Sequence, residues 1–158
     1  MGPTDIASHA RHGLESRAAP MFGEPGHAYV YFTYGMHYCM NCVTEPAGSG
    51  TAVLIRAVEP EEGVALMRRN RKRRSVHLKE LSDHDLTNGP AKLCQALAID
   101  RQTNTADLLG SEIWIEADLS VPKSRIKRTA RVGIARGREH QWRFYDSASS
   151  FVSAHPKY

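Results

Sequence analysis

The segments "AYVYFT" (28–33) and "HYCMNCVT" (37–44) alternate aromatic or β-branched residues with others at period two. That pattern predicts a β-hairpin with Tyr34, Gly35 and Met36 at its tip. A tip lies far from the core, so a tyrosine and a methionine there lack the usual reason to be apolar. Downstream, "TAVLIRAVEP" is a near-continuous apolar run ending at Pro60 and interrupted by Arg56, and it predicts a third strand over 51–58. Shorter strand patterns fall at 113–117, 131–135 and 142–146. "EPEEGVALMRRN" (59–70) reads as a helix: Pro60 can occupy the first turn, Glu61 and Glu62 suit the N-terminal dipole, and basic residues collect at the other end. "NGPAKLCQALAID" (88–100) predicts a second helix, with Asn88 able to cap, Pro90 early, and Leu93 and Leu97 on one face. Residues 72–86 are polar and charged and are expected to form a flexible surface loop. No repeat and no Gly-, Pro- or Ser-rich linker divides the chain. One domain over 1–158 is expected, of α+β class and built around an antiparallel sheet.

Composition narrows the partners. An apolar share of 41% and a charged share of 24% over 158 residues are those of a globular protein able to bury a core. No apolar run approaches the ~20 residues of a membrane helix. The start, "MGPTDIASHARHG", lacks the apolar segment of a signal peptide, so no membrane partner is expected. Three cysteines offer no disulfide framework and point to a reducing compartment, here the cytoplasm or nucleoid. The net charge of +4 is mild but unevenly spread: "RRNRKRR" (68–74) holds six basic residues in seven, and "KSRIKRTAR" (123–131) five in nine. Such patches favour an anionic partner, nucleic acid first, against the alternative of a solvated loop.

Cys39-Met40-Asn41-Cys42 is a C-x-x-C, but residues three apart in a strand point to opposite faces, and no second pair completes a zinc site. With Cys94 alone in a helix, core thiols are the better account. His9-Ala10-Arg11-His12 is equally short of a ligand set, so no metal is expected. Nothing matches a P-loop, a dinucleotide fingerprint or a nucleophilic-serine motif, and no cofactor is expected. Arg56, inside its apolar run, either faces outward or sits buried against a carboxylate, phosphate or ligand. Asn41 in mid-strand poses the same question, because a buried amide needs partners. Tyr29 and Tyr31 share a strand face that could be ordinary packing or a stacking platform for a base. On spacing alone the chain is an aromatic, basic nucleic-acid binder.

The segments "GPTDIASHA", "MFGEPGHAYVYFTYGMHYCMN", "AVLIRAVEPEEG", "NGPAKLCQALAI", "RVGIA" and "WRFY…FVS" occur in one order along nearly the whole chain. Together they resemble the alkyladenine (3-methyladenine) DNA glycosylase family of base-excision repair. The resemblance implies a monomeric, cofactor-free enzyme that acts on double-stranded DNA containing damaged purines. It implies a curved, partly barrel-like antiparallel sheet with peripheral helices and a protruding hairpin. Tyr34 matches the wedge that fills the space left by a flipped nucleotide, with Met36 and His37 flanking it. His9 and Tyr31 match positions around the flipped base, and Asn41 the position that crowds guanine's amino group. Arg56 and the Val132 carbonyl match positions that hold the attacking water, which His9 can also help to position. Lys92 and Arg101 fit phosphate contacts.

The reaction implied is hydrolysis of an N-glycosidic bond through an oxocarbenium-like state, which calls for a carboxylate base. In the family pattern that glutamate lies in a "Glu-Ala-Tyr-x-Gly-Pro" segment, whereas this sequence starts at Met1-Gly2-Pro3. Glu15, Glu24 and Glu45 lie outside the motif. The expectation is therefore a glycosylase lacking its base and the companion stacking tyrosine, inactive as written. The rival readings are a non-catalytic DNA-binding remnant and a metal protein built on Cys39 and Cys42. The lesion range stays open among 3-methyladenine, 7-methylguanine, hypoxanthine and ethenoadenine.

Overall fold

The computed structural model describes residues 1–73, 81–117 and 121–152. The hairpin forms where its alternation predicts. β1 (Ala28–Thr33) and β2 (His37–Thr44) pair antiparallel with Thr33 opposite His37 and Ala28 opposite Cys42. β3 (Thr51–Leu54) pairs along the other edge of β2, with Thr44 opposite Thr51. Period two sends side chains to alternate faces. Ala28, Val30 and Met40 pack with Leu93, Cys94, Ile99 and Leu108 in one cluster, while Tyr29 and Val43 pack with Ala10, Ala18, Met21 and Ala52 in another. One face of β2 is thus covered by a helix over Pro90–Ala96, and the other by the 3-10 turns His9–His12 and Ala19–Phe22. Leu93 is 1% exposed, so its truncation to Ala would cost about 2–5 kcal/mol.

Among the described residues the α-helices are α1 (Val64–Arg73), α2 (His84–Thr87) and α3 (Pro90–Ala96). A second, two-stranded antiparallel sheet joins β4 (Ile126–Thr129) to β5 (Arg143–Asp146). It is tied back to the start of the chain by Arg131, whose Nη2 donates to Asp5 Oδ1 at 2.9 Å while Nη1 donates to the other carboxylate oxygen. Asp5 is 1% exposed, so removing either partner strands a buried charge, at about 3–5 kcal/mol.

Several expected boundaries move. β3 ends at Leu54 rather than 58, although Ile55 N still donates to the Met40 carbonyl at 3.1 Å. Residues 131–135 are not a strand: Gly133 takes φ +75° and Arg131 is committed to Asp5, and the pairing lies earlier, at 126–129. Residues 113–117 hold only an isolated bridge, Leu109 to Trp114. α1 starts at Val64 because Gly63 has φ +71°, outside the right-handed helical region; Pro60, Glu61 and Glu62 precede the helix and none lies in its first turn. Gly89, not Asn88, is the N-cap of α3, and the Asn88 side chain instead accepts from Lys92 Nζ at 2.7 Å. The loop expected over 72–86 contains the end of α1 and most of α2, while its stretch 74–80 lies outside the described residues. The α+β class holds, with the described strands in two sheets rather than a closed barrel.

Candidate active site

A cavity of ≈ 550 Å³ opens between the Tyr29 face of the hairpin sheet, the first residues of the chain and the β4–β5 arm. That is ample for a purine, within the ~300–1,000 Å³ of small-molecule sites. His9, Tyr29, Tyr31, Asn41, Arg56 and Val132 all line it. The alternation that builds the hairpin explains the contributions of β1 and β2: odd positions face the cavity and even ones the α3-side core.

His9 Nδ1 lies 3.0 Å from the Tyr29 hydroxyl and Nε2 lies 2.7 Å from Arg17 Nη2. The His9 ring meets Tyr31 edge-on, with centroids 4.5 Å apart. Burial holds the His9 pKa down to about 4, and the charges of Arg17 and His12 act the same way. Burial likewise pushes the Tyr29 hydroxyl up to about 12 and raises that of Tyr31, which also neighbours Cys39. Asn41 is 0% exposed and its Nδ2 donates to the Tyr29 carbonyl at 3.0 Å. Its Oδ1 is buried with no hydrogen bond among the described residues, a state that costs about 1–3 kcal/mol unless something arrives to use it.

Arg56 lies against the segment that carries Val132: a Cβ added at Gly133 would stand 3.8 Å from its Nη2. Burial lowers the Arg56 pKa, and nearby Arg143 adds to that. Cys39 faces this side of the sheet beside Tyr31 and Arg56, whereas Cys42 packs on the opposite cluster. Among the described residues no three His, Cys, Asp or Glu side chains gather as a metal site.

The hairpin tip stands away from the core. Tyr34 is 82% exposed at φ +52°, followed by Gly35 at φ +66°, and Met36 is 62% exposed. A bulky residue at positive φ costs about 1–2 kcal/mol, and such strain collects at functional positions. His37 opens β2, with Nδ1 3.5 Å from Gln95 Nε2 on α3. Lys92 and Arg101 do not line the cavity. Lys92 is held at the start of α3 by Asn88 and by Asp85 at 3.3 Å, and Arg101 is exposed at the start of the 3-10 turn Arg101–Thr103.

The basic run on α1 divides. Arg68 binds Asp83 and the Leu81 carbonyl, and Arg71 is buried and donates to Gln95 Oε1. Arg69, Lys72 and Arg73 are exposed, and Arg74 lies outside the described residues. In the second patch Arg125 pairs with Asp146 and Arg131 with Asp5, leaving Lys123, Lys127 and Arg128 at the surface. Sequence reasoning passed over Arg17, whose only local signal was a charge before an Ala-Ala-Pro. It also passed over Asp5 and Trp142, and the cavity-lining role of Glu45 at φ +64°.

The chain matches the family model for methylpurine-DNA glycosylase (MPG) over residues 1–150. Three bacterial relatives each carry the name "Putative 3-methyladenine DNA glycosylase". The protein of Chlorobium phaeovibrioides is 44% identical over 153 residues, which is 97% of this chain and 74% of the relative. That of Desulfitobacterium hafniense is 45% identical over 157 residues, 96% and 77%. That of Alkaliphilus oremlandii is 44% identical over 158 residues, 97% and 78%. The chain belongs to the methylpurine-DNA glycosylase family.

Proposed function

We propose that this member of the methylpurine-DNA glycosylase family binds duplex DNA as a monomer, without a cofactor, and draws an alkylated or deaminated purine out of the stack into the ≈ 550 Å³ cavity. One observation carries the proposal. His9, Tyr31, Asn41 and Arg56 come from four separate segments and converge on that cavity, behind a hairpin whose strained tip exposes Tyr34. Extrusion costs a few kcal/mol in lost stacking and pairing, and an aromatic wedge offsets part of that by filling the gap. In the cavity a purine stacks on the Tyr31 ring, and electron-poor alkylated purines suit an electron-rich face. Asn41 stands where the amino group of guanine would collide, and Arg56 with the Val132 carbonyl holds the water.

Hydrolysis also needs an anionic base near the sugar. Arg56 is cationic, and a backbone carbonyl takes up no proton. His9 has its Nε2 against Arg17 and a pKa near 4. Among the described residues Glu45 is the one carboxylate on the cavity wall, and it is exposed. Asp5, nearby, is committed to Arg131. General-base assistance is worth about 10²–10⁴ in rate. With no uncommitted, buried carboxylate beside the water among the described residues, these 158 residues bind lesion DNA and leave the base in place. The test is single-turnover release of hypoxanthine from a duplex. The expected result is lesion-selective binding with no abasic sites above background. Robust release would refute the inactivity, and its loss in Glu45→Gln would identify the substitute carboxylate.

A further inference from the structure

The residue that sets the hydrogen-bond polarity of the cavity wall is Arg17, which does not itself line the cavity. Its Nη2 lies 2.7 Å from His9 Nε2, its Nη1 donates to the Phe32 carbonyl at 3.4 Å, and its Cζ stands 5.7 Å from the Tyr31 ring centre. A guanidinium has donors only. His9 Nε2 must therefore accept, and the single proton of the neutral imidazole sits on Nδ1. From there it is donated to the Tyr29 hydroxyl oxygen at 3.0 Å. His9 then has no lone pair for the hydroxyl's own proton. Tyr29 lines the cavity, and its hydroxyl has His9 as its hydrogen-bond partner among the described residues.

We propose that Arg17, His9 and Tyr29 form a polarised hydrogen-bond chain that presents the Tyr29 O–H as a donor to the bound purine. Arg17 thereby makes the pocket prefer bases that offer a lone pair at that edge over bases that offer an amino group. The inference rests on the base-pocket function proposed above and deepens it: Arg17 is a positioning residue that determines specificity without touching the base. Burial supports the chain from behind, because an imidazole with a pKa near 4 is neutral at pH 7 and can accept from a guanidinium. Without Arg17 the imidazole proton is free to move to Nε2. Nδ1 would then accept from Tyr29, and the hydroxyl would face the cavity as an acceptor.

Two measurements on the full chain test this. The first is the ¹⁵N chemical shifts of the His9 ring, which report the tautomer without any DNA. The Nδ1–H form is expected in the native chain, changing in Arg17→Met and retained in Arg17→Lys, which still donates. The second is the ratio of Kd values for two duplexes, with adenine or hypoxanthine placed opposite an abasic analogue so that neither base is paired. Hypoxanthine offers O6 where adenine carries an amino group. The preference for hypoxanthine should fall about three- to tenfold in Arg17→Met, the share of one hydrogen bond, and return in Arg17→Lys. An Nε2–H tautomer in the native chain overturns the inference and leaves the glycosylase proposal standing. So does a hypoxanthine preference unchanged by Arg17→Met. A native chain with no preference for hypoxanthine overturns both.

Discussion

Replacing Tyr34 separates what the hairpin tip costs the fold from what it does for DNA. The side chain is 82% exposed, so its removal leaves no cavity. The backbone is another matter, because φ at Tyr34 is +52°. A side chain in the left-handed region costs about 1–2 kcal/mol, and glycine escapes that cost. Glycine also loosens the unfolded chain by about 0.4–1 kcal/mol. Tyr34→Gly should therefore stabilise the protein by roughly 0.5–1 kcal/mol, raising the thermal midpoint by about 1–4 °C for a chain of this size. Tyr34→Ala keeps the β-carbon and hence the strain, so its midpoint should stay near the native value. Both variants lose the ring, and with it the ~1–3 kcal/mol of an aromatic–base stack, roughly five- to 150-fold in lesion affinity. Calorimetric melts and anisotropy titrations on hypoxanthine and undamaged duplexes give the numbers. A lowered midpoint in Tyr34→Gly would show that the tip is not strained. Equal losses of affinity on damaged and undamaged DNA would show that Tyr34 is a general contact, not a wedge.

Affinity for undamaged duplex should fall steeply with salt, and Arg69, Lys72 and Arg73 replaced together by Ala should flatten the log–log slope by about 2–3, near 0.9 per phosphate contact. Arg71→Ala should leave that slope alone while lowering stability, because Arg71 is buried against Gln95; the opposite pattern would reverse these assignments. Stability should decline as pH falls from 6.5 towards 4: unfolded His9 takes up its proton near 6.5, and the folded residue only near 4. The full gap is worth no more than about 3 kcal/mol, and a pH dependence of the urea midpoint unchanged by His9→Gln would remove His9 as its source. Asn41→Ser should open space at the guanine amino group and raise affinity for a duplex presenting unpaired guanine relative to one presenting hypoxanthine; an unaltered ratio counts against the steric role.

The sequence made some of this legible and hid the rest for physical reasons. β1 and β2 were readable because period-two alternation is a local property that both faces of the sheet reinforce. The same alternation put Tyr29 and Tyr31 on one face before any partner was known, and Asn41 joins them only through the register that sets it opposite Tyr29. The β4 strand was misplaced towards 131–135 because its boundary depends on the backbone at Gly133 and on an Arg131–Asp5 pair 126 positions apart. Neither is a local pattern. Part of the division of the α1 basic run could have been found: Arg68 and Arg71 are three apart and share a helix face, while Arg69 and Arg73 point elsewhere; Lys72, four after Arg68, is told apart only by its exposure. Arg17 had no such signal, because its importance lies in a contact with His9 across a turn.

The hairpin's geometry explains how the proposed wedge and the cavity wall come to reside on one element. Tyr31 faces the cavity from the body of β1, and three residues later Tyr34 stands at the tip. At about 3.3 Å of rise per residue, Thr33 at the end of β1 lies roughly 7 Å beyond Tyr31, and Tyr34 follows it in the turn. β2 braces that strand through six opposed residue pairs, Ala28–Cys42 to Thr33–His37, and β3 and α3 brace β2 in turn. A loop could carry both aromatics but could not hold their spacing. A strand buried on both faces can, and its register is unforgiving: a slip of one residue would turn Tyr29 and Tyr31 into the α3-side core and bring Val30 and Phe32 to the cavity. The core that holds Ala28, Val30 and Met40 against Leu93 therefore also fixes which rings face the cavity. Fold stability and site geometry are set by the same alternation.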